Sequence, residues 1–404
     1  MYVGLNTGWT MDPSGNTNFP GSVSSTIAQM KQAGASWVRM SIGGGWSAYH
    51  DWTTADASGL SRLQKIDAVV AAVKAGGLKI LGLIDGGTVT GYGQAQWAAN
   101  SAEMAGGMGD NPFIDQMGST FAMLSAHYAG QIDAWEVWNE PNAWTQSYGV
   151  GGSFIYPSNF AWLLRRIKEN QKDSAPIVSG GIFAFADGSG LHTGIDYLNA
   201  AVSQAAQQGF TVEYDYVGLH LYMSIEQYPQ TLAAYAGGAP LFVTEWGWAT
   251  PPSTEQQQAQ YLASATQTFR SSPVAGAFWF KLQDDSALKY GLLRSDGSAK
   301  PALATFQSGG FMDTQIQLHW NSYFSQMQAI FPHAGIVLPR VGTGIYQLWY
   351  SLYLNGKQLG PATSQEYPIT DWSGNPGVAQ DFGSCRIEWF NSVGHAYGPY
   401  GEIA

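Results

Sequence analysis

The chain has 404 residues, 45% of them hydrophobic and only 12% charged, with a formal net charge of −11 at pH 7 and a single cysteine, Cys385. That length is too great for one ordinary core and fits a barrel plus a small accessory module. An acidic balance with no basic run argues against nucleic acid and anionic membrane surfaces as partners, one cysteine excludes an intramolecular disulfide or a Cys-based metal site, and no apolar run approaches the roughly 18 residues of a membrane span.

In place of charge the chain carries 50 Gly, 16 Trp and 21 Tyr, with many hydroxyl and amide side chains. An uncharged, polar, aromatic surface suits neutral polyhydroxylated ligands, because indole faces cover sugar C–H groups and amides bond hydroxyls. Composition alone leaves an extracellular protein of any other kind equally open.

In chain order, Tyr2–Asn6 reads as a strand and not as the charged start of a secretory leader. A helix follows through Val23, Ile27 and Met30, closed by Gly34. Residues 37–42 form the second strand. Leu63, Ile66, Val69, Val70 and Val73 recur at helical spacing before Gly76 and Gly77 end the run. Lys79–Ile84 is the third strand, followed by a long Gly-rich loop and a helix through Ile114, Met117, Phe121 and Leu124. Residues 134–138 are the fourth strand, with a helix marked by Phe160, Leu163, Leu164 and Ile167. Residues 177–181 are the fifth, followed by a helix through Ile195, Leu198 and Val202. Tyr216–Leu221 is the sixth strand and residues 241–245 the seventh. Ser253 and Gln256 suggest a capping box for a helix running to Phe269, and residues 275–280 are the eighth strand.

Eight β/α units in about 305 residues predict a (β/α)8 TIM barrel over residues 1–308. A doubly wound sheet would need a phosphate-binding glycine fingerprint after the first strand, and there is none. Gly43-Gly44-Gly45 lacks the following Lys-Ser/Thr of a phosphate loop. Past Gln307 the character changes. A Gln-rich helical pattern through Ile316, Trp320, Phe324 and Met327 gives way to short β-like pieces, defining a small module over 312–404. It is expected either to bind polysaccharide or to cap the barrel. Cys385 within it reads as a small buried apolar residue.

Active sites of such barrels lie where strands end. The fourth strand ends in Trp138-Asn139-Glu140-Pro141-Asn142 and the seventh in Thr244-Glu245-Trp246-Gly247. A hydrophobic strand terminating in Glu is an odd place for a structural carboxylate. These segments resemble the clan A glycoside hydrolases, above all family 39 and family 5. So do Arg39, His220-x-Tyr222, Trp279, and the closing run from Tyr290 through Asp296-Gly297 to Lys300-Pro301-Ala302.

The resemblance implies a retaining glycosidase, with Glu140 as general acid/base and Glu245 as nucleophile. It implies that Asn139 bonds the sugar 2-hydroxyl, that Arg39 and Tyr222 hold Glu245 ionised, and that His220, Trp279 and Trp246 line the subsite. His220 as a core histidine and Trp279 as barrel packing are the alternatives. Glu136, four residues before Glu140, reads as an ion-pair partner. Trp9, Trp46, Trp144 and Trp248 follow strands one, two, four and seven and should ring the mouth, as subsites or as loop packing. The expected protein is a secreted or cell-surface monomer without cofactor or metal, cutting a β-linked oligo- or polysaccharide from within. A catalytically silent carbohydrate-binding barrel is the rival, disfavoured by the paired glutamates.

Overall fold

The computed structural model describes residues 1–6, 23–42, 52–55, 59–89, 111–145, 149–150, 153–184, 194–223, 225–235, 239–286 and 288–308. Beyond these it describes 344–345, 348–349, 352, 357, 359–360, 362–371, 373–390, 393–398 and 401–402. The chain folds as two compact units, Met1–Gly310 and Phe311–Ala404.

The first unit is a closed barrel of eight parallel strands. They are β1 (Tyr2–Asn6), β2 (Trp37–Ser41), β3 (Lys79–Ile84), β4 (Ala134–Val137), β5 (Ile177–Phe183), β6 (Tyr216–Leu221), β7 (Leu241–Trp246) and β8 (Val274–Trp279). Each is followed by a helix: α1 (Val23–Gln32), α2 (Arg62–Ala75), α3 (Pro112–His127), α4 (Pro157–Asn170), α5 (Gly194–Gln207), α6 (Tyr228–Tyr235), α7 (Glu255–Arg270) and α8 (Pro301–Gln307). The (β/α)8 architecture expected from the sequence is therefore present.

Local chemistry explains the helix starts. Ser61 caps α2 through a reciprocal box with Gln64, satisfying backbone donors that the first turn leaves open. The box on α7 is Thr254 with Gln257, one residue later than the sequence suggests. The Ser253 hydroxyl is already engaged by the indole N–H of Trp248. Helix α6 is absent from the sequence reading; it is short, and only Tyr228, Leu232 and Tyr235 mark its buried face. In α5 the inward residues are Tyr197, Leu198, Ala201 and Ala205, while Val202 lies exposed, one step round from the expected stripe.

The lower barrel is plugged by Trp37, Leu81, Ala134, Val178, Phe242 and Phe278, all buried. Trp37 packs edge-on against both phenylalanines, with centroids 6.2 Å apart in each case. This apolar plug fills the bottom, with the Lys79 ammonium over its Trp37 ring, and above it Arg39, Glu136 and Glu245 meet toward the strands' carboxyl ends. Between strand and helix layers runs the main core, which includes Trp135, Phe121, Leu163 and Trp246.

In the second unit, β9 (Tyr367–Thr370), β10 (Pro376–Asp381), β11 (Arg386–Phe390), β12 (Val393–Gly398) and β13 (Gly401–Glu402) form an antiparallel meander. Its own small core contains Trp349, Leu359, Phe382, Cys385 and Ile387. Cys385 is a free, buried thiol, and burial pushes its pKa up to about 11, so it behaves as an apolar residue. The helical pattern at Ile316, Trp320, Phe324 and Met327 lies outside the described residues. Among the described residues no helix is long and apolar enough to cross a membrane.

Candidate active site

The end of β4 departs from strand geometry. Trp138 and Glu140 both have positive φ, 81° and 52°, which side-chain-bearing residues adopt at a cost of about 1–3 kcal/mol. Neighbouring strands hold the chain there. Trp138 N–H donates to the Ile84 carbonyl at 2.7 Å, and Glu140 N–H to the Gly181 carbonyl at 2.9 Å. The twist sends the Trp138 ring outward onto Phe113 of α3, its indole N–H bonding Ser153 at 2.6 Å. Asn139 and Glu140 are left facing the mouth.

A buried guanidinium organises what they meet. Arg39 Nε contacts Glu136, one terminal nitrogen donates to Glu245 at 2.6 Å, and the other donates to Asn139 Oδ1 at 2.8 Å. Burial works against its charge, but Glu136 and Glu245 outweigh that and hold it firmly protonated. Tyr222 donates its hydroxyl to the second oxygen of Glu245 at 2.7 Å. Burial, with the adjacent Glu245, pushes the Tyr222 phenol well up, so it stays a donor.

His220, fully buried, sets Nδ1 2.8 Å from Glu140 and 3.7 Å from Glu245. One oxygen of each glutamate and a His220 ring nitrogen all lie within 4.8 Å of one another. Three ligand atoms so spaced could also hold a cation, though the pattern of protonation suits acid–base work. Burial raises the Glu140 carboxyl, assisted by the negative Glu245 and only partly offset by His220. Burial also acts to raise Glu245, but His220, Arg39 and Tyr222 together pull it below the usual carboxylate range. One carboxyl is kept as an acid, the other as an anion.

Of the residues expected here, Glu140, Glu245, Asn139, Arg39, His220 and Tyr222 converge. Trp246 and Trp279 do not. Phe242 and Phe278 point into the barrel, and Trp246 and Trp279 turn to the helix side, where they pack on each other at 4.7 Å. Trp246 also meets Phe269 of α7 at 5.0 Å. Among the described residues an aromatic beside the site is instead Phe280, next along from Trp279, with Tyr222 at 6.2 Å and Tyr290 at 5.8 Å. Trp248 stacks on Tyr261 at 4.4 Å, so loop packing is its role. Trp9 and Trp46 lie outside the described residues. Trp144 sits in a two-residue strand paired with Gly149–Val150, and its side chain is likewise outside them.

One residue with no signal in the sequence makes the site possible. A Cβ on Gly181 would fall 2.0 Å from His220 Nε2, so only glycine leaves room for the ring. Gly181→Ala is expected to push His220 off Glu140 and to lower kcat/KM on the order of 10²-fold, as misplacement by about 1 Å can do. Steady-state kinetics beside an unchanged circular dichroism spectrum would check this.

A closed barrel with two carboxyl groups of opposed pKa shift paired at its strand ends is a site suited to cleaving a glycosidic bond. Residues 99–306, just over half the chain, match the model of the glycosyl hydrolase catalytic core, and the chain belongs to that family. No curated protein matches it in sequence. Among solved structures it is similar to the exo-β-1,4-mannosidase Op5Man5 from Opitutaceae bacterium strain TAV5. The TM-score is 0.54 at 15% identity, over 78% of this chain and 60% of that one. It is similar to xylanase 10B from Thermotoga petrophila RKU-1, solved with xylobiose (0.52, 12%, 76% and 93%). It is similar too to a family 5 protein, subfamily 18, from Streptomyces cattleya, solved with GlcNAc (0.51, 14%, 88% and 91%). At these identities the likeness is one of fold, the (β/α)8 barrel.

Proposed function

We propose that this protein hydrolyses a β-linked oligo- or polysaccharide by double displacement, Glu245 attacking the anomeric carbon and Glu140 serving as acid and then base. The observation that carries this reading is the approach of the two carboxyl groups, with oxygens within 4.8 Å. Retaining enzymes need about 5–5.5 Å, and inverting ones about 6.5–9.5 Å to admit a water.

In the first step the protonated Glu140 gives its proton to the leaving oxygen while Glu245 forms the glycosyl ester. Arg39 and Tyr222 then accept less charge from Glu245, and the ionised Glu140 draws a proton from water for the second displacement. Asn139 has its carbonyl oxygen engaged by Arg39, which leaves its amide N–H groups to meet the sugar 2-hydroxyl. Phe280 and Tyr290 supply apolar area for the ring face.

Endo action is part of the proposal and rests on the length of the segments following β2 and β3, residues 42–61 and 85–111. Action outside the cell follows from a polymeric substrate too large to enter it. The test is a panel of chromogenic β-glycosides and soluble polysaccharides, with the first-formed anomer read by proton NMR on an active substrate. A β-anomer appearing first is expected. An α-anomer appearing first would reject double displacement, and binding without turnover would leave a carbohydrate-binding barrel.

A further inference from the structure

Glu136 is wholly buried in the barrel beneath the site. One of its oxygens contacts Arg39 Nε, and the other has no hydrogen-bond partner among the described residues. Its neighbours in register are Leu83 on β3 and Val178 on β5, neither able to donate from a side chain. A half-satisfied buried carboxylate is costly, and as a purely structural device an ion pair of this kind does no better than an apolar pair of equal volume. Its placement has a different consequence. One guanidinium stands between two carboxylates, Glu136 below and Glu245 above, and its remaining edge is given to Asn139.

We propose that Glu136 is a positioning residue for the reaction, one that takes up part of the Arg39 charge so that Glu245 is ionised without being over-stabilised. The inference rests on the reading of Glu245 as nucleophile. In a poorly solvated site a full, unshared guanidinium would bind the Glu245 carboxylate more strongly. A carboxylate held that tightly is a weaker base and a weaker nucleophile, because the same stabilisation must be given up as the ester forms. Glu136 weakens the grip by competing for the same cation, and through Nε it fixes the plane in which the other two edges reach Glu245 and Asn139.

Among the described residues the other ionisable groups around the pair are few. They are Asp85 beyond β3 with Arg62 beside it, Glu140 after β4, His220 and Tyr222 of the β6 end, and Tyr290 after β8. Strands β1 and β5 bring Asn6 and Gly181 to this level and add no charge.

The decisive variant is Glu136→Gln, which keeps the shape and an oxygen for Nε and removes the charge. With carboxyl-¹³C glutamate in the full chain, the Glu245 resonance is assigned by its loss in Glu245→Gln and titrated by NMR. Its midpoint is expected to move down by about one pH unit in Glu136→Gln, and the acid limb of kcat/KM to move down with it while kcat falls. An unmoved midpoint overturns the proposal. So does an upward one, which would mean that Glu136 merely props Arg39 and that the ion pair to Glu245 loosens without it. If the Gln variant does not fold, Glu136→Asp draws the charge back by one methylene. The midpoint must then fall by several tenths of a unit, and a midpoint unchanged or raised again overturns the proposal. The titration needs no substrate, so it stands or fails separately from the glycosidase reading.

Discussion

Glu245→Ala is expected to remove hydrolysis by several orders of magnitude while the protein stays folded. Without that carboxylate no glycosyl ester can form at the Glu245 position. The fold should survive for an electrostatic reason. Arg39 keeps Glu136 as its counter-ion, so the substitution replaces two anions around one cation by a balanced pair. The melting temperature is expected to shift by no more than a few degrees. The cavity left by the side chain sits beside Tyr222 and Arg39, which donated to the lost oxygens, and it should accept a small anion. Added azide or formate is therefore expected to restore part of the turnover of an activated aryl glycoside. Attack then comes from the Glu245 side and leaves an α-configured product. Near-normal hydrolysis with no added anion would remove Glu245 from the mechanism.

Glu140→Gln is expected to separate substrates by their leaving groups. Alkyl glycosides and polysaccharides need a proton at the departing oxygen, and for them the first step should slow by about 10²–10⁴-fold. Aryl glycosides with acidic phenols leave unaided and should lose far less in that step. The pH dependence follows from the two directions of shift. Glu245 is held below the usual carboxylate range and must be ionised, so activity falls on the acid side as it gains a proton. Glu140 is raised and must be protonated for the first step, so activity falls on the alkaline side as its proton leaves. In Glu140→Gln the alkaline limb belonging to that group should vanish from kcat/KM for activated substrates while the acid limb remains. Equal losses on both kinds of substrate, with the alkaline limb intact, would show that Glu140 does not donate the proton.

The eight strands and the barrel helices other than α6, the glutamates at two strand ends, and Arg39, Asn139, His220 and Tyr222 were legible in the sequence. The reason is that each barrel unit repeats the same local pattern, an apolar strand followed by a helical stripe, and that the polar residues interrupt the pattern at its ends. What the linear pattern does not carry is which way each strand-end side chain faces. Phe242 fills the barrel floor and Glu245, three residues on, faces the same interior, although strict alternation would put them on opposite faces. An irregularity in the pairing of β7 with β6 resolves this: Leu219 pairs with Val243, and the next residue, His220, pairs with Glu245. That one extra residue, a bulge, brings Glu245 inward.

The same logic explains the two tryptophans expected at the site and found elsewhere. Trp246 and Trp279 follow inward residues, and their indoles join the strand–helix core, while among the described residues Phe280 and Tyr290 stand beside the site. Gly181 shows only in three dimensions, because its use is to be empty where a ring from the next strand stands. The sequence by itself determined the barrel, the order of its units and the chemical groups at its mouth, since these follow from local periodicity and residue type. The facing of Glu245, the sharing of Arg39 between two carboxylates and the space for His220 were decided by tertiary structure, since each depends on the register of one strand against its neighbour.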